Sequence, residues 1–517
     1  MNKSFLEKLL DYYSLSYEEY LSINKETTLE HFDDDHHFND IVDATNLVKE
    51  VMKNNGSILI YGDYDADGIM GTSILVKMFH YLDYQVKYYI PCRYIDGYGI
   101  NLINAQKCVE QHFDLVITVD NGVTAFEPIK YLKDNGVKVI VLDHHAREEN
   151  LPNADYIIHP LISSFGEVAS SGAFVAFMFS RALLGFSDKY LSTLAAISLI
   201  SDVMPLKEYN RALLKVVFKN YKVGEFLPID LLADNEGFDE NIIGSKIAPR
   251  INSIGRMKED KSINNLVKYF INEDKDFVLN YFNQICKTNE ERKEYTKNIV
   301  NNLSISDKEN AIIFVSEAKE GIVGLLAGSL CSQYKKPVIV FSKNSEGNIL
   351  KGSARSVPGF NIVETFRKLD KYFLTYGGHS LAAGCSIKES DFDKFYADFM
   401  LEASKYNFDK AEEKTIDITI NDINKENYEL IKSFSPFGEG FPAPNLLLEN
   451  IKVNALRYSK NNLHIMTNIG FKTRIVGFNL SKEMMSKYSY INIVGNLKYS
   501  TFNGNSNIDF VIKNIKE

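Results

Sequence analysis

The chain has 517 residues, 45% of them hydrophobic and 24% charged, with a formal net charge of −10, which excludes a disordered chain and predicts several globular domains. No apolar run is long enough to span a membrane, Met1–Leu21 does not read as a signal peptide, and the five cysteines lack CxxC spacing, so a disulfide framework and a zinc site are not expected and the setting is cytoplasmic. The acidic balance neither supports nor excludes a nucleic-acid substrate, because a substrate meets a local groove and not the average field.

In chain order, residues 1–50 are an N-terminal extension containing the run His31-Phe32-Asp33-Asp34-Asp35-His36-His37. No strand precedes that run to fix its geometry, so it reads as a solvated acidic loop despite its metal-binding residue types. Residues 51–225 alternate β-branched runs with helical stretches. Ser57–Tyr61, Gln85–Ile90, Asp114–Val119 and Val137–Leu142 read as buried strands, with helices over Gly68–Tyr81 and Leu102–Gln111. That alternation predicts an α/β fold with a mostly parallel sheet. Residues 226–305 form a helical connector, whose polar amphipathic stretch from Asp274 suits one long spanning helix. A second, smaller α/β module covers 306–406, opening with a strand Ala311–Val315 and a helix Gly321–Tyr334. Residues 407–517 read as a small β-barrel, with Asn503-Gly504 as a hairpin turn.

Three predicted strands end in acidic residues: Asp63, Asp65 and Asp67 after the first, Asp120 after the third, and Asp143-His144-His145 after the fourth. In an open α/β sheet, ligands bind beyond the carboxyl ends of the strands, so these loops are expected to converge. Carboxylates gathered there repel one another unless cations neutralise them, and oxygen donors with one or two imidazoles suit manganese or magnesium better than zinc. Two such ions would divide the work, one activating water and the other steadying charge on phosphoryl oxygens. Asp202, after the apolar stretch Leu191–Ile200, is a further donor. A single DxD is more often a turn or helix cap; three acidic strand ends in succession are harder to obtain as caps.

These residues resemble the DHH phosphoesterase superfamily and, more narrowly, the RecJ family of bacterial exonucleases that digest single-stranded DNA from its 5′ end. The resemblance rests on Asp63-Tyr64-Asp65-Ala66-Asp67-Gly68, Asp96-Gly97-Tyr98-Gly99, Val119-Asp120-Asn121-Gly122, Asp143-His144-His145 and Ser170-Ser171-Gly172. It continues through Ser201-Asp202, Ala248-Pro249-Arg250-Ile251-Asn252-Ser253-Ile254-Gly255-Arg256, Gly352-Ser353-Ala354-Arg355, Gly377-Gly378-His379 and Pro436-Phe437-Gly438-Glu439-Gly440.

The resemblance implies a DHH catalytic domain, a spanning helix, a DHH-associated second domain and a C-terminal OB-like barrel. It also implies two divalent ions, manganese or magnesium. Asp120 would bridge them; Asp67, His144 and Asp202 would complete one, and Asp65 with Asp63 the other. His145 would lie against the scissile phosphate, so that Asp120, His144 and His145 are the catalytic set. Arg93, Ser353 and Arg355 would seat a 5′-terminal phosphate, and Arg250, Asn252 and Arg256 the next phosphates. Ser170 and the segment Gly377, Gly378 and His379 would also face the substrate. Single-stranded DNA is the implied substrate, a single-strand-binding protein and a helicase the implied partners, and a monomer with no membrane attachment is expected.

Two departures stand out. The chain has no tryptophan, and Phe502 stands before Asn503-Gly504 where relatives carry one; Lys319-Glu320 replaces a tryptophan or histidine of many relatives. The alternative reading is a phosphodiesterase for short oligonucleotides or cyclic dinucleotides. Relatives of that kind resemble only the first two modules, so the barrel and the Pro249–Asn252 segment favour the exonuclease. An inactive scaffold is disfavoured because every acidic and histidine position of the motifs is present.

Overall fold

β-Branched runs become the strands of a first sheet: Ile58–Tyr61 (β1), Lys87–Tyr89 (β2), Leu115–Val119 (β3), Lys138–Leu142 (β4) and Tyr156–Ile158 (β5). The computed structural model describes residues 3–32, 38–163, 169–303, 309–343, 348–406, 408, 414–502 and 505–516, so Asp33–His37 of the acidic run and the Asn503-Gly504 turn lie outside the described residues. One compact unit comprises Leu29–Met204 with Val217–Ala411; a second comprises Met1–Thr28, Pro205–Val216 and Glu412–Glu517.

In the first sheet of the first unit all five strands are parallel, in the order β2-β1-β3-β4-β5. β1 and β3 are buried along their whole length, as central strands covered on both faces must be. On one face the helices Leu102–Glu110 and Phe126–Asp134 bring Ala105, Cys108, Ile129 and Leu132 against Leu59, Tyr61, Val139 and Val141. The helices Ala66–Tyr81, Gly172–Leu184 and Lys189–Ser201 are apolar on nearly every side and pack on one another. Each fully buried Ile, Leu or Phe contributes roughly 1.5–3 kcal/mol relative to exposure. The chain leaves β1 for β2 on one side and returns to β3 on the other. That reversal opens a crevice between the carboxyl ends of β1 and β3.

A single 27-residue helix, Lys275–Asn301, follows, capped by Asp274, whose carboxylate accepts from the amides of Asp276 and Phe277. The second sheet of this unit contains Ile312–Ser316 (β6), Val338–Lys343 (β7), Ile349–Arg355 (β8), Phe373–His379 (β9) and Ala382–Lys388 (β10). Its order is β6-β7-β8-β10-β9, and only β6 and β7 run parallel.

The second unit holds a six-stranded sheet: Ile416–Ile418 (β11), Leu446–Lys452 (β12), Ile465–Gly470 (β13), Thr473–Gly477 (β14), Tyr490–Phe502 (β15) and Asn505–Lys516 (β16). β15 and β16 form a long antiparallel hairpin whose register ends at Phe502 opposite Asn505. The helices Phe5–Tyr13 and Tyr17–Ile23 belong to this unit, each opened by a serine–glutamate capping box, Ser4 with Glu7 and Ser16 with Glu19. Leu9 is fully buried in the core of this sheet, and Tyr13 stacks on Phe441 with ring centroids 4.4 Å apart. Among the described residues no helix is long and apolar enough to cross a membrane.

Candidate metal centre and phosphate site

The first acidic loop is built by the transition from β1 into the helix Ala66–Tyr81. Asp65 caps this helix, its Oδ1 accepting from the amides of Asp67 (2.9 Å) and Gly68 (3.2 Å). The cap reading of a DxD loop is therefore correct for Asp65, and it fixes which way the neighbouring carboxylates point. Asp67, in the first turn and 1% exposed, accepts from the amides of Gly172 and Ala173 (both 2.7 Å) and from Ser198 Oγ (2.5 Å). A Cβ at Gly68 would fall 2.5 Å from the backbone of Asp63, so only glycine lets the loop fold this tightly.

Asp120, at the end of β3, has φ +62°, a left-handed conformation that costs a non-glycine residue roughly 1–2 kcal/mol. Its amide donates to the Leu142 carbonyl (2.9 Å), and Tyr98 Oη donates to its own carbonyl (3.1 Å). Gly172 passes so close that a Cβ there would lie 2.8 Å from the Asp120 Cβ. Asn121 is fully buried and ties the strand ends together. Its Nδ2 donates to the carbonyls of Gly62 and Val119 (3.1 and 2.9 Å), and its Oδ1 accepts from the amide of Ile100 (3.2 Å).

After β4, Asp143 turns inward. It accepts from the amides of Val123 (2.8 Å) and His144 (2.7 Å) and lies 2.9 Å from His145 Nδ1. His144 Nε2 sits 3.1 Å from Asp120 Oδ1, 3.4 Å from Asp67 Oδ2 and 3.5 Å from Asp202 Oδ2. Asp202 closes the helix Lys189–Ser201 as its C-cap. Three donor groups result, each with its ligand atoms within 4.8 Å of one another: Asp63, Asp65 and Asp120; Asp67, His144 and Asp202; and Asp120, His144 and His145.

The electrostatics of this cluster call for cations. Burial, then the charge of Asp65, pushes the Asp63 carboxyl well above the usual carboxylate range; burial, then Asp67, Asp65 and Asp63, does the same to Asp120. Asp202 is pushed up to about 9 by burial and then by Asp67 and Asp65. Burial lowers His144. His145 moves the other way: burial opposes its charge, but the hydrogen bond and charge of Asp143 prevail and raise it to about 9. Asp63 Oδ1 and Asp202 Oδ2 are buried with no hydrogen-bond partner. Uncompensated buried charge costs several kcal/mol per group, so the donor set fits divalent cations, which would supply the missing partners.

Basic residues gather in the same unit. Arg256, whose Nη1 donates to the Gly321 carbonyl (3.0 Å), is lowered to about 10 by burial and then by Arg93, with Asp65 opposing and Arg292 and Arg355 adding to the shift. Tyr94 Oη bridges the Arg256 carbonyl (2.6 Å) and the Gly321 amide (3.3 Å). The Arg93 guanidinium lies 3.9 Å from the centre of the Tyr64 ring, with its Nε buried and without a partner. On β8, Arg355 Nη1 donates to Ser353 Oγ (3.1 Å) and to the Ala354 carbonyl (2.8 Å).

Other expected substrate residues are engaged within the fold. Arg250 pairs with Asp234 (2.9 Å) and donates to the Leu232 carbonyl (2.6 Å). Asn252 Oδ1 accepts from the Ala66 amide (2.8 Å), holding the start of the helix that carries Asp67. Ser170 is fully buried beside Ser171, which caps the helix Gly172–Leu184. Gly377, Gly378 and His379 are exposed on the edge strand β9, and Gly378 has φ +141° with the Ala382 carbonyl 2.3 Å from where a Cβ would stand. The side chain of Phe502 lies outside the described residues. Sequence reasoning counted Asp143 only among the converging carboxylates, whereas it belongs to none of the donor groups and orients His145 instead, and it gave no role to Asn121 or Tyr98; all three lie inside quoted motifs, but only their hydrogen bonds show what they hold.

A donor set for two cations at the switch point of a doubly wound parallel sheet is the class that fold and site define. Residues 57–200 match the DHH family N-terminal domain, 307–404 the DHHA1 domain and 416–514 the RecJ OB domain. The chain is 31% identical over 498 residues to the single-stranded-DNA-specific exonuclease RecJ of Bacillus subtilis, covering 91% of this chain and 62% of that relative. It is 29% identical to the RecJ of Haemophilus influenzae, covering 92% of this chain and 90% of that relative. The crystal structure of RecJ from Thermus thermophilus in complex with Mn²⁺ superposes with a TM-score of 0.84 at 25% identity, covering 99% of this chain and 76% of that one. The chain belongs to the DHH family, in the branch that carries a RecJ OB domain.

Proposed function

We propose that this chain is a 5′→3′ exonuclease that hydrolyses single-stranded DNA to 5′-mononucleotides, in DNA repair or recombination. The observation that carries the reading is one donor cluster sharing Asp120 and His144, with Arg256 within electrostatic reach of Asp65 on one side and of Arg93, Arg292 and Arg355 on the other. Asp120 would be shared by two sites, Asp67, His144 and Asp202 would hold one ion, and Asp63 and Asp65 would hold the other. Two divalent ions, manganese or magnesium, supply Lewis acidity and neutralise charge on the phosphoryl group when bound.

The chain's own residues do the rest. Asp143 orients the His145 ring, whose N–H donates to a non-bridging phosphoryl oxygen. Arg93, Ser353 and Arg355 hold a terminal phosphate, a dianion that an arginine fork binds better than an interior diester. Arg256 steadies the following phosphate, while Arg250 and Asn252 position the loop and helix that carry the site. Gly377, Gly378 and His379 line the strand's path, while the buried Ser170 supports the start of the helix Gly172–Leu184. In this division 51–225 performs the chemistry, 226–305 connects, 306–406 seats the chain end, and 407–517 grips the strand, with 1–50 as an extension.

Single-strand-binding protein and a helicase are the partners the family resemblance supports, and five free cysteines support a cytoplasmic setting; sedimentation would check a monomer. The test is a gel assay with Mn²⁺ on single-stranded DNA labelled at its 3′ end and carrying a 5′ phosphate. A ladder shortening from the 5′ end, absent with EDTA or a blunt duplex, is expected. Turnover of dinucleotides or cyclic dinucleotides, with the strand left intact, would overturn the reading.

A further inference from the structure

We propose that the first sheet carries a second ligand site, for a free nucleoside phosphate, on the face covered by the helix Leu102–Glu110. A cavity of about 160 Å³ opens there at the edge of the sheet beside β2, and none of its lining residues is a donor of the metal cluster. Its walls include the rings of Tyr61, Tyr89 and Phe113, and three lysines, Lys87, Lys107 and Lys261, stand around it. The walls suit one planar ring system, which stacks or packs on aromatic faces at little entropic cost.

The lysines supply the charge. All three are exposed, and among the described residues none forms an ion pair within 4 Å, although the chain as a whole carries −10. Instead Lys261 Nζ lies 5.2 Å from the centre of the Tyr89 ring, Lys87 Nζ lies 5.4 Å from that of Phe113, and Lys107 Nζ donates to Asn104 Oδ1 (3.1 Å). Three ammonium groups without an ion pair within 4 Å, one of them (Lys261) also within electrostatic reach of Asp96, match a ligand with a planar base at one end and phosphate at the other, because ammonium is a flexible point charge that follows a phosphate.

The cavity is also wired to the loop that bears Arg93 and Tyr98. Tyr89 Oη and the Cys92 amide both donate to Asp96 Oδ2 (2.8 Å each), and Asn104 Nδ2 donates to Asp96 Oδ1 (3.2 Å). Asn101 Nδ2 donates to the Asp96 carbonyl (2.9 Å), closing the loop. A nucleotide resting on Tyr89 and Asn104 therefore touches the two side chains that hold the Asp96 carboxylate, and through it the loop. The site is independent of the exonuclease reading, since it uses none of the residues assigned to the strand.

The experiment is equilibrium dialysis of ADP against the full chain in EDTA, where the metal centre cannot hold a phosphate through ions. Saturable binding at one site is expected. The double variant Lys107→Ala/Lys261→Ala should weaken it at least tenfold, Gln111→Glu (an exposed change at the cavity lining) should weaken it without disturbing packing, and Arg355→Ala should leave it within twofold. Inorganic phosphate should compete at least tenfold more weakly than ADP. Absence of saturable binding, an unchanged affinity in the lysine variant, or loss in Arg355→Ala would each overturn the proposal. So would equal competition by inorganic phosphate, which would mean that the rings contribute nothing.

Discussion

Two sets of buried aspartates in this molecule are treated in opposite ways. In the second unit, Asp509 is 6% exposed and is met by a fork: Arg474 Nε and Nη2 each donate to it at 2.7 Å, and Arg474 Nη2 also reaches Ser500 Oγ (3.0 Å). In the first unit, Asp63, Asp67 and Asp120 are at most 2% exposed and face one another and Asp202, with one oxygen each of Asp63 and Asp202 left without a hydrogen-bond partner. The first arrangement is complete as it stands and holds β14 to β16. The second is incomplete by the count of its charges, and a fold that keeps such an arrangement keeps it for what it binds.

Removing one carboxylate from the incomplete set should separate activity from stability. Asp120→Asn keeps a residue tolerant of the left-handed backbone. It should lower exonuclease turnover by about 10³-fold or more, while raising the stability of the metal-free protein by roughly 1–3 kcal/mol. Urea unfolding in EDTA beside a cleavage assay reads both, and a variant that cleaves normally would remove Asp120 from the bridging position. Breaking the complete pair should do the reverse. Arg474→Met should destabilise the second unit by about 3 kcal/mol, because it strands a buried carboxylate, yet leave hydrolysis of short oligonucleotides within about twofold. A parallel loss of short-oligomer turnover would show that this pair serves the chemistry after all.

Arg355→Ala should cost the preference for a phosphorylated 5′ end about 10- to 100-fold, the scale of hydrogen bonds to a charged group, without changing metal affinity. An intact preference would place the phosphate seat elsewhere. The smallest signal is thermal. Asp202 titrates at about 9 in the folded chain and near 4 when unfolded, so between those values the folded state holds the extra proton. Metal-free stability from this group is then greatest at the acid end and is lost as pH rises toward 9. A Tm that drops by about a few degrees from pH 5 to pH 8.5 in EDTA, and is restored by Mn²⁺ mainly at the alkaline end, is expected; a Tm flat with pH would contradict the burial of that carboxylate.

The parts of the site legible in the sequence were those set by local pattern. The β-branched runs of β1, β3 and β4 name their own strands, and whatever follows a central parallel strand must appear at one edge of the sheet. The donors Asp63, Asp65, Asp67, Asp120 and His144 were readable for that reason. Direction was not readable. Nothing local says that Asp143 points inward to its own histidine while His144 points at Asp120, or that Arg250 is taken by Asp234. Gly377-Gly378-His379 reads as a turn in isolation, and its place in an edge strand depends on pairing with β10. The helices Phe5–Tyr13 and Tyr17–Ile23 show amphipathic capped segments, but their partner sheet lies beyond the reach of any periodicity.

That last contact has a consequence for biosynthesis. Tyr13 leaves the ribosome about 420 residues ahead of Phe434, and Leu9 further still ahead of Phe510, although these residues share one core. At roughly 5–20 residues per second, the two opening helices wait on the order of 20–80 s for their sheet, while the strands and helices between them fold. During that interval Leu9 and its neighbours are exposed apolar surface on a nascent chain. A chaperone that holds short amphipathic segments has its natural substrate there, ahead of the catalytic domain in the order of synthesis.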